Sequence, residues 1–125
     1  MNYTIIDYDK TRQLKFTIKA FMDFEKIAHK NVLSVITNLE EESISFLDTV
    51  NLLWAGLKDE DNELTPDKVA EILEDVLSKD KKKMSDIWND LLSALTQSGA
   101  FKAFVKDAKG KDEKSEKKST RATPT

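Results

Sequence analysis

DTVNLLWAGLKDEDNELTPDKVAEILED, residues 48–75, decides the fold. Its first half is apolar at helical spacing. Ile44, Leu47, Val50 or Asn51, Trp54 and Leu57 make one stripe, and Phe46, Val50, Leu53 and Leu57 make a second. Two overlapping stripes give a wide apolar surface, as a helix at the centre of a bundle requires. Asp59 to Glu63 follows as a solvated turn, and Thr65-Pro66-Asp67 is a strong helix start. The threonine oxygen accepts an orphan amide, proline at the first helical position loses no needed donor, and the aspartate complements the positive helix end. Val69, Ile72, Leu73, Val76 and Leu77 then form a single clean stripe.

Toward the C-terminus, Lys79 to Lys83 is a charged break. Met84, Ile87, Trp88, Leu91, Leu92 and Leu95 repeat the stripe in a third long helix. Ser98-Gly99 interrupts it, and glycine there predicts a left-handed C-cap. Phe101, Phe104 and Val105 predict a last helical piece. Lys106 to Thr125 holds seven Lys or Arg against four Asp or Glu, a net +3. The whole chain is at −3, so the body carries −6. A basic, apolar-poor tail cannot bury enough surface to offset its ordering entropy, which predicts disorder.

Toward the N-terminus, Tyr3 to Tyr8 and Leu14 to Ile18 alternate with period two on either side of Asp9-Lys10-Thr11-Arg12. This predicts a small β-hairpin, or an extended segment, packed against helices because a lone hairpin is marginal. Phe21, Phe24 and Ile27-Ala28 then predict a helix from about Ile18 to His29. Val32 to Leu39 predicts one or two helical turns; Glu40-Glu41-Glu42 follows, with Ser43 as the expected cap of the next helix. The reading is mainly α: a compact bundle of about four to five helices in residues 1–105, a small N-terminal hairpin, and a disordered Lys-rich tail over 106–125.

Composition closes off several function classes. The 125 residues suffice for one modest core. There is no cysteine, hence no disulfide framework, thiolate metal site or cysteine nucleophile. No apolar run approaches the roughly 20 residues of a membrane span, and the N-terminus lacks a basic region followed by a long apolar stretch, so no signal peptide is expected. Three glycines and two prolines argue for long helices over a turn-rich β fold. The acidic turn imitates a calcium loop, with Asp59, Asp61 and Glu63 at the first three ligand positions. Leu64 then stands where a sharp turn needs glycine, and Ala70 where a bidentate glutamate is needed. A plain helix connection is the better reading. His29 is the sole histidine, with no metal-ligand spacing around it. Glu40 to Glu42 lie on adjacent positions, which do not face one another on a helix. No phosphate loop or nucleophile elbow occurs, so no enzyme and no cofactor are expected. The tail has no aromatic residue for base stacking and interleaves its bases with acids, so nucleic acid is not the expected partner.

Protein is. Trp54 and Trp88 sit on apolar stripes; core packing is the plain reading, and a hot-spot anchor is the sharper one. Phe101 and Phe104, beyond the glycine break, are stronger interface candidates. A surface around Trp88, Leu92, Phe101 and Phe104 is expected to meet a partner or another copy.

The order of segments resembles the tail assembly chaperones of long-tailed phages and prophages of Gram-positive bacteria. The resemblance rests on Leu14-Lys15-Phe16, Met22-Asp23-Phe24-Glu25-Lys26, Leu52-Leu53-Trp54-Ala55-Gly56-Leu57, the acidic turn Lys58 to Glu63, and Leu64-Thr65-Pro66-Asp67-Lys68-Val69. It covers roughly residues 12 to 78, with the Trp-Ala-Gly-Leu to Leu-Thr-Pro block its most specific part. His29 stands where relatives often close the first helix with glycine. The resemblance implies a non-catalytic protein of the host cytoplasm, absent from the finished virion. Such a protein binds the tape measure protein, keeps that long helical chain soluble and helps recruit tail tube subunits. It also implies that this chain is the shorter product where a programmed frameshift makes a longer one.

Overall fold

A computed structural model describes residues 2–105. The expected tail, 106–125, lies outside the described residues. Strands β1 (Thr4–Asp7) and β2 (Thr11–Leu14) precede helices α1 (Ile18–Ala28), α2 (Val32–Glu40), α3 (Phe46–Leu57), α4 (Pro66–Ser78) and α5 (Met84–Gln97). A further helical segment, α6, occupies 99–105. The mainly helical architecture with an N-terminal hairpin is the one expected.

The hairpin is antiparallel, pairing Thr4 with Leu14 and Asp7 with Thr11. It is shorter than the alternation predicts. Thr11 and Arg12 belong to β2, not to the turn, while Phe16 and Ile18 lie beyond the strand. Thr17 ends the extended run because its Oγ1 accepts the Ala20 N–H at 3.1 Å and starts α1. Ile6, Tyr8, Arg12 and Leu14 face inward and are buried. The Tyr8 hydroxyl donates to Asp90 Oδ2 at 2.7 Å, fastening the hairpin to α5. Burial, with the Asp90 carboxylate beside it, holds that hydroxyl protonated well above the usual phenol range.

The buried Arg12 is the second fastening. Its Nε and Nη2 each donate to Asp9 at 2.8 Å, and Nη1 donates to Asp61 Oδ2 at 3.2 Å. Glu60 Oε1 accepts the Gln13 N–H at 2.9 Å, and the Lys15 N–H donates to the Gly56 carbonyl at 2.9 Å. The acidic turn is thereby strapped to β2 through the carboxylates of Glu60 and Asp61. Hydrogen bonds from Arg12 hold both Asp9 and Asp61 below the usual carboxylate range.

Helix α3 is central, touching β2, α1, α4 and α5. Gly56 explains part of the Trp-Ala-Gly-Leu block. A Cβ there would stand 2.6 Å from Leu14 Cδ1 and 2.9 Å from Phe16 Cζ, so only glycine lets the hairpin lie directly on α3. The buried face of α3 differs from the expected stripes. Leu52, Leu53, Ala55 and Leu57 are buried, but so are Asp48, Thr49 and Asn51, while Phe46 and Leu47 are exposed. Asp48 tolerates burial because Lys30 Nζ meets its Oδ2 at 2.7 Å. Ser45, not Ser43, is the cap: its Oγ accepts the Asp48 N–H at 3.0 Å. Ile44 is buried ahead of the helix.

The other termini follow local chemistry. His29 takes φ 55° and caps α1, its N–H bonded to the Glu25 carbonyl, so the position usual for glycine is filled without it. Thr65 Oγ1 accepts the Lys68 N–H at 3.2 Å, with Pro66 opening α4 as predicted. Gly99 makes no left-handed cap, since no glycine among the described residues has positive φ. Ser98 is buried and ends α5 in extended backbone, and its Oγ accepts the Phe101 N–H at 3.1 Å to start α6. One side chain thus both breaks α5 and redirects the chain.

Candidate protein-binding surface

The redirected α6 lies against α1 and the start of α2, and the three leave a groove of about 410 Å³. Ile18, Phe21, Met22 and Glu25 of α1 form one wall, Asn31, Val32 and Leu33 a second, and Ala100, Phe101 and Phe104 the third. Its floor is aromatic: Phe21 meets Phe101 with centroids 6.3 Å apart, tilted by 54°, and the buried Phe16 stacks on Phe21 from behind at 5.7 Å. Its rim is apolar and open to water. Ile18 is 65% exposed, Met22 50% and Phe104 55%. Glu25 and Asn31 are the polar exceptions, and both serve the start of α2: Glu25 Oε2 accepts the Val32 N–H at 2.9 Å and Asn31 Oδ1 the Leu33 N–H at 2.8 Å.

The five residues singled out from the sequence separate here. Phe101 and Phe104 come together in the groove. Trp54 and Trp88 are half-buried outside it and have internal partners. The Trp54 Nε1–H donates to the Leu64 carbonyl at 3.0 Å, with Lys58 Nζ 5.6 Å from the ring centroid, so this indole joins α3 to the start of α4. The Trp88 Nε1–H donates to Thr49 Oγ1 at 3.1 Å, joining α5 to α3. Leu92 is half-buried against the core. Ile18 and Met22 are groove residues that the sequence reading did not single out, and Phe46 and Leu47 are exposed apolar residues it assigned to the core. The available signal was excess. Helix α1 has apolar residues at 18, 20, 21, 22, 24, 27 and 28, more than one buried stripe accommodates.

An open apolar groove with one charged residue, itself engaged, offers no nucleophile or acid–base pair. It is suited to receiving apolar side chains of another polypeptide. Among the described residues no cluster of His, Cys, Asp or Glu is placed to hold a metal, and no helix is long and apolar enough to cross a membrane. Comparison with protein families gives one match that spans the groove: residues 6–109 fit the model of "Phage tail assembly chaperone protein, TAC". The chain belongs to the phage tail assembly chaperone family. The match begins within β1 and extends over β2, every described helix and all three walls of the groove. The chaperone is accordingly non-catalytic, and its partners lie among phage tail proteins. No curated protein and no solved structure matches it.

Proposed function

We infer that this chaperone binds the tape measure protein in the host cytoplasm during tail morphogenesis of a long-tailed phage or prophage of a Gram-positive bacterium. It keeps the tape measure protein soluble, helps recruit tail tube subunits and is left out of the finished virion. The chain is the shorter product where a frameshifted longer one is made. The observation that carries this reading is the groove. Ile18, Met22 and Phe104 keep large apolar side chains in water around an aromatic floor, and a contiguous exposed apolar patch marks an interaction site. A tape measure segment enters as an amphipathic helix, placing anchors at i, i+3, i+4 and i+7 over Phe21 and Phe101. Phe101 and Phe104 are the direct contacts among the five candidates. Trp54, Trp88 and Leu92 belong to the scaffold behind the groove, the two indoles joining α3 to the start of α4 and α5 to α3.

Co-expression of the chain with the tape measure protein of the same genome, followed by pull-down, tests this. A soluble complex that forms with the wild type and is lost with Phe104→Asp supports the reading. No complex, and no gain in tape measure solubility, would overturn it.

A further inference from the structure

The hairpin has two edges, and only one is covered. On β2 the Gln13 N–H donates to Glu60 Oε1 and the Lys15 N–H to the Gly56 carbonyl, both at 2.9 Å, so the acidic turn and the end of α3 seal that side. Along an antiparallel pair, residues opposite each other either exchange hydrogen bonds or both point them outward, in alternation. Gln13 is paired with Ile5 and directs its N–H out of the hairpin. Ile5 therefore directs its N–H and carbonyl outward from β1, and Asp7, two residues on, does the same. The sheet has two strands, and among the described residues no backbone hydrogen bond from outside the hairpin reaches Ile5 or Asp7. The Ile5 side chain is 50% exposed and Asp7 is exposed, so this edge is open to water.

The surroundings of the open edge are acidic. Strand β1 rests on α5, where Thr4 Oγ1 meets Ser93 Oγ at 3.1 Å and the Tyr8 hydroxyl donates to Asp90. Asp86 stands one turn before Asp90 on the same face of α5. Asp7, Asp86 and Asp90 thus flank the edge, and Lys82, 3.8 Å from Asp90, offsets one of the three. A second copy laid edge to edge would bring these like charges together; a basic strand would complement them.

From this we propose that β1 takes up a third strand, an extended basic segment of a phage tail protein that pairs with the outward backbone groups of Ile5 and Asp7. Main-chain hydrogen bonds hold such a strand, and side chains at alternate positions select it. A β-branched residue opposite Ile5 covers its exposed side chain, and a Lys or Arg two positions away lies opposite Asp7. No residue of β1 lines the groove, so the added strand leaves the groove free and does not depend on what the groove binds.

Overlapping peptides that tile the tape measure and tail tube proteins of the same genome, immobilised and probed with the full chain, test this. Peptides with a β-branched residue and a Lys or Arg two positions apart should retain the wild type. Ile5→Pro removes the outward N–H and leaves the ladder to β2 intact, because proline is tolerated where an edge N–H faces solvent; it should lose these peptides. Asp7→Lys, at an exposed position, is the second variant and should lose them as well. Phe104→Asp should keep them, whereas a peptide held in the groove should show the reverse pattern. Retention of no such peptide, retention unchanged in Asp7→Lys, or loss with Phe104→Asp would each overturn the third strand. So would an edge already taken by a second copy, seen as a wild-type mass that falls with Ile5→Pro in the absence of peptide.

Discussion

Gly56 and Arg12 show how single residues set the position of the hairpin. A methyl group at Gly56 would press on Leu14 and Phe16, both buried with no room to retreat. Gly56→Ala is therefore expected to destabilise the fold by about 1–3 kcal/mol, despite alanine's higher helix propensity, and thermal denaturation reads this directly. Arg12→Ala leaves Asp9 and Asp61 without their shared cation and is expected to lower the denaturant midpoint. The pH dependence has a defined sign. Both carboxyl groups are depressed in the folded state by hydrogen bonds from Arg12. Their contribution is complete above the unfolded carboxylate range, near pH ~4, and is lost as pH falls through the lower folded values. Denaturant midpoints of wild type and Arg12→Ala should differ by a constant amount at neutral pH and converge below that range. Neither residue's role was legible in the sequence. Arg12 reads as part of the polar turn, Asp61 lies 49 positions away, and glycine within an apolar helix does not announce what will press on it.

At the scale of elements, the sequence was most informative where the deciding physics is local. Thr65-Pro66-Asp67 starts a helix through its own atoms, and α4 begins there. The period-two pattern found the hairpin, and the apolar spacing found the long helices. Orientation within α3 depends on neighbours distant in the chain, and there the reading failed. Phe46 and Leu47 fit a core stripe, while Asp48 and Thr49 do not, yet packing buries the polar pair and exposes the apolar one. Lys30 for Asp48 and the Trp88 indole for Thr49 supply the partners that make this tolerable. The start of α3 is a direct check. Ser45→Ala should cost about 1 kcal/mol in a chemical denaturation series, and Ser43→Ala should change the midpoint little, since the side chain that accepts the Asp48 N–H is that of Ser45. Equal effects at both positions would place the helix start elsewhere.

For the whole molecule, fold and candidate surface come from one arrangement. Helix α3 gathers β2, α1, α4 and α5 around itself. Ser98 then turns α6 back so that Phe101 meets Phe21, and the apolar residues that α1 cannot bury become a rim. Phe101 and Phe104 were legible as candidates for a surface role because they follow a break on a short segment. Ile18 and Met22 were not, because the helix that supplies them also supplies core. Hydrogen exchange on the chaperone alone and with a soluble tape measure segment tests the central claim most directly. Binding should slow exchange over residues 18–25 and 99–105 and leave α4 unchanged. Protection over α4 and the Trp54 end of α3, with none at the groove, would contradict this account of how the chaperone holds its client.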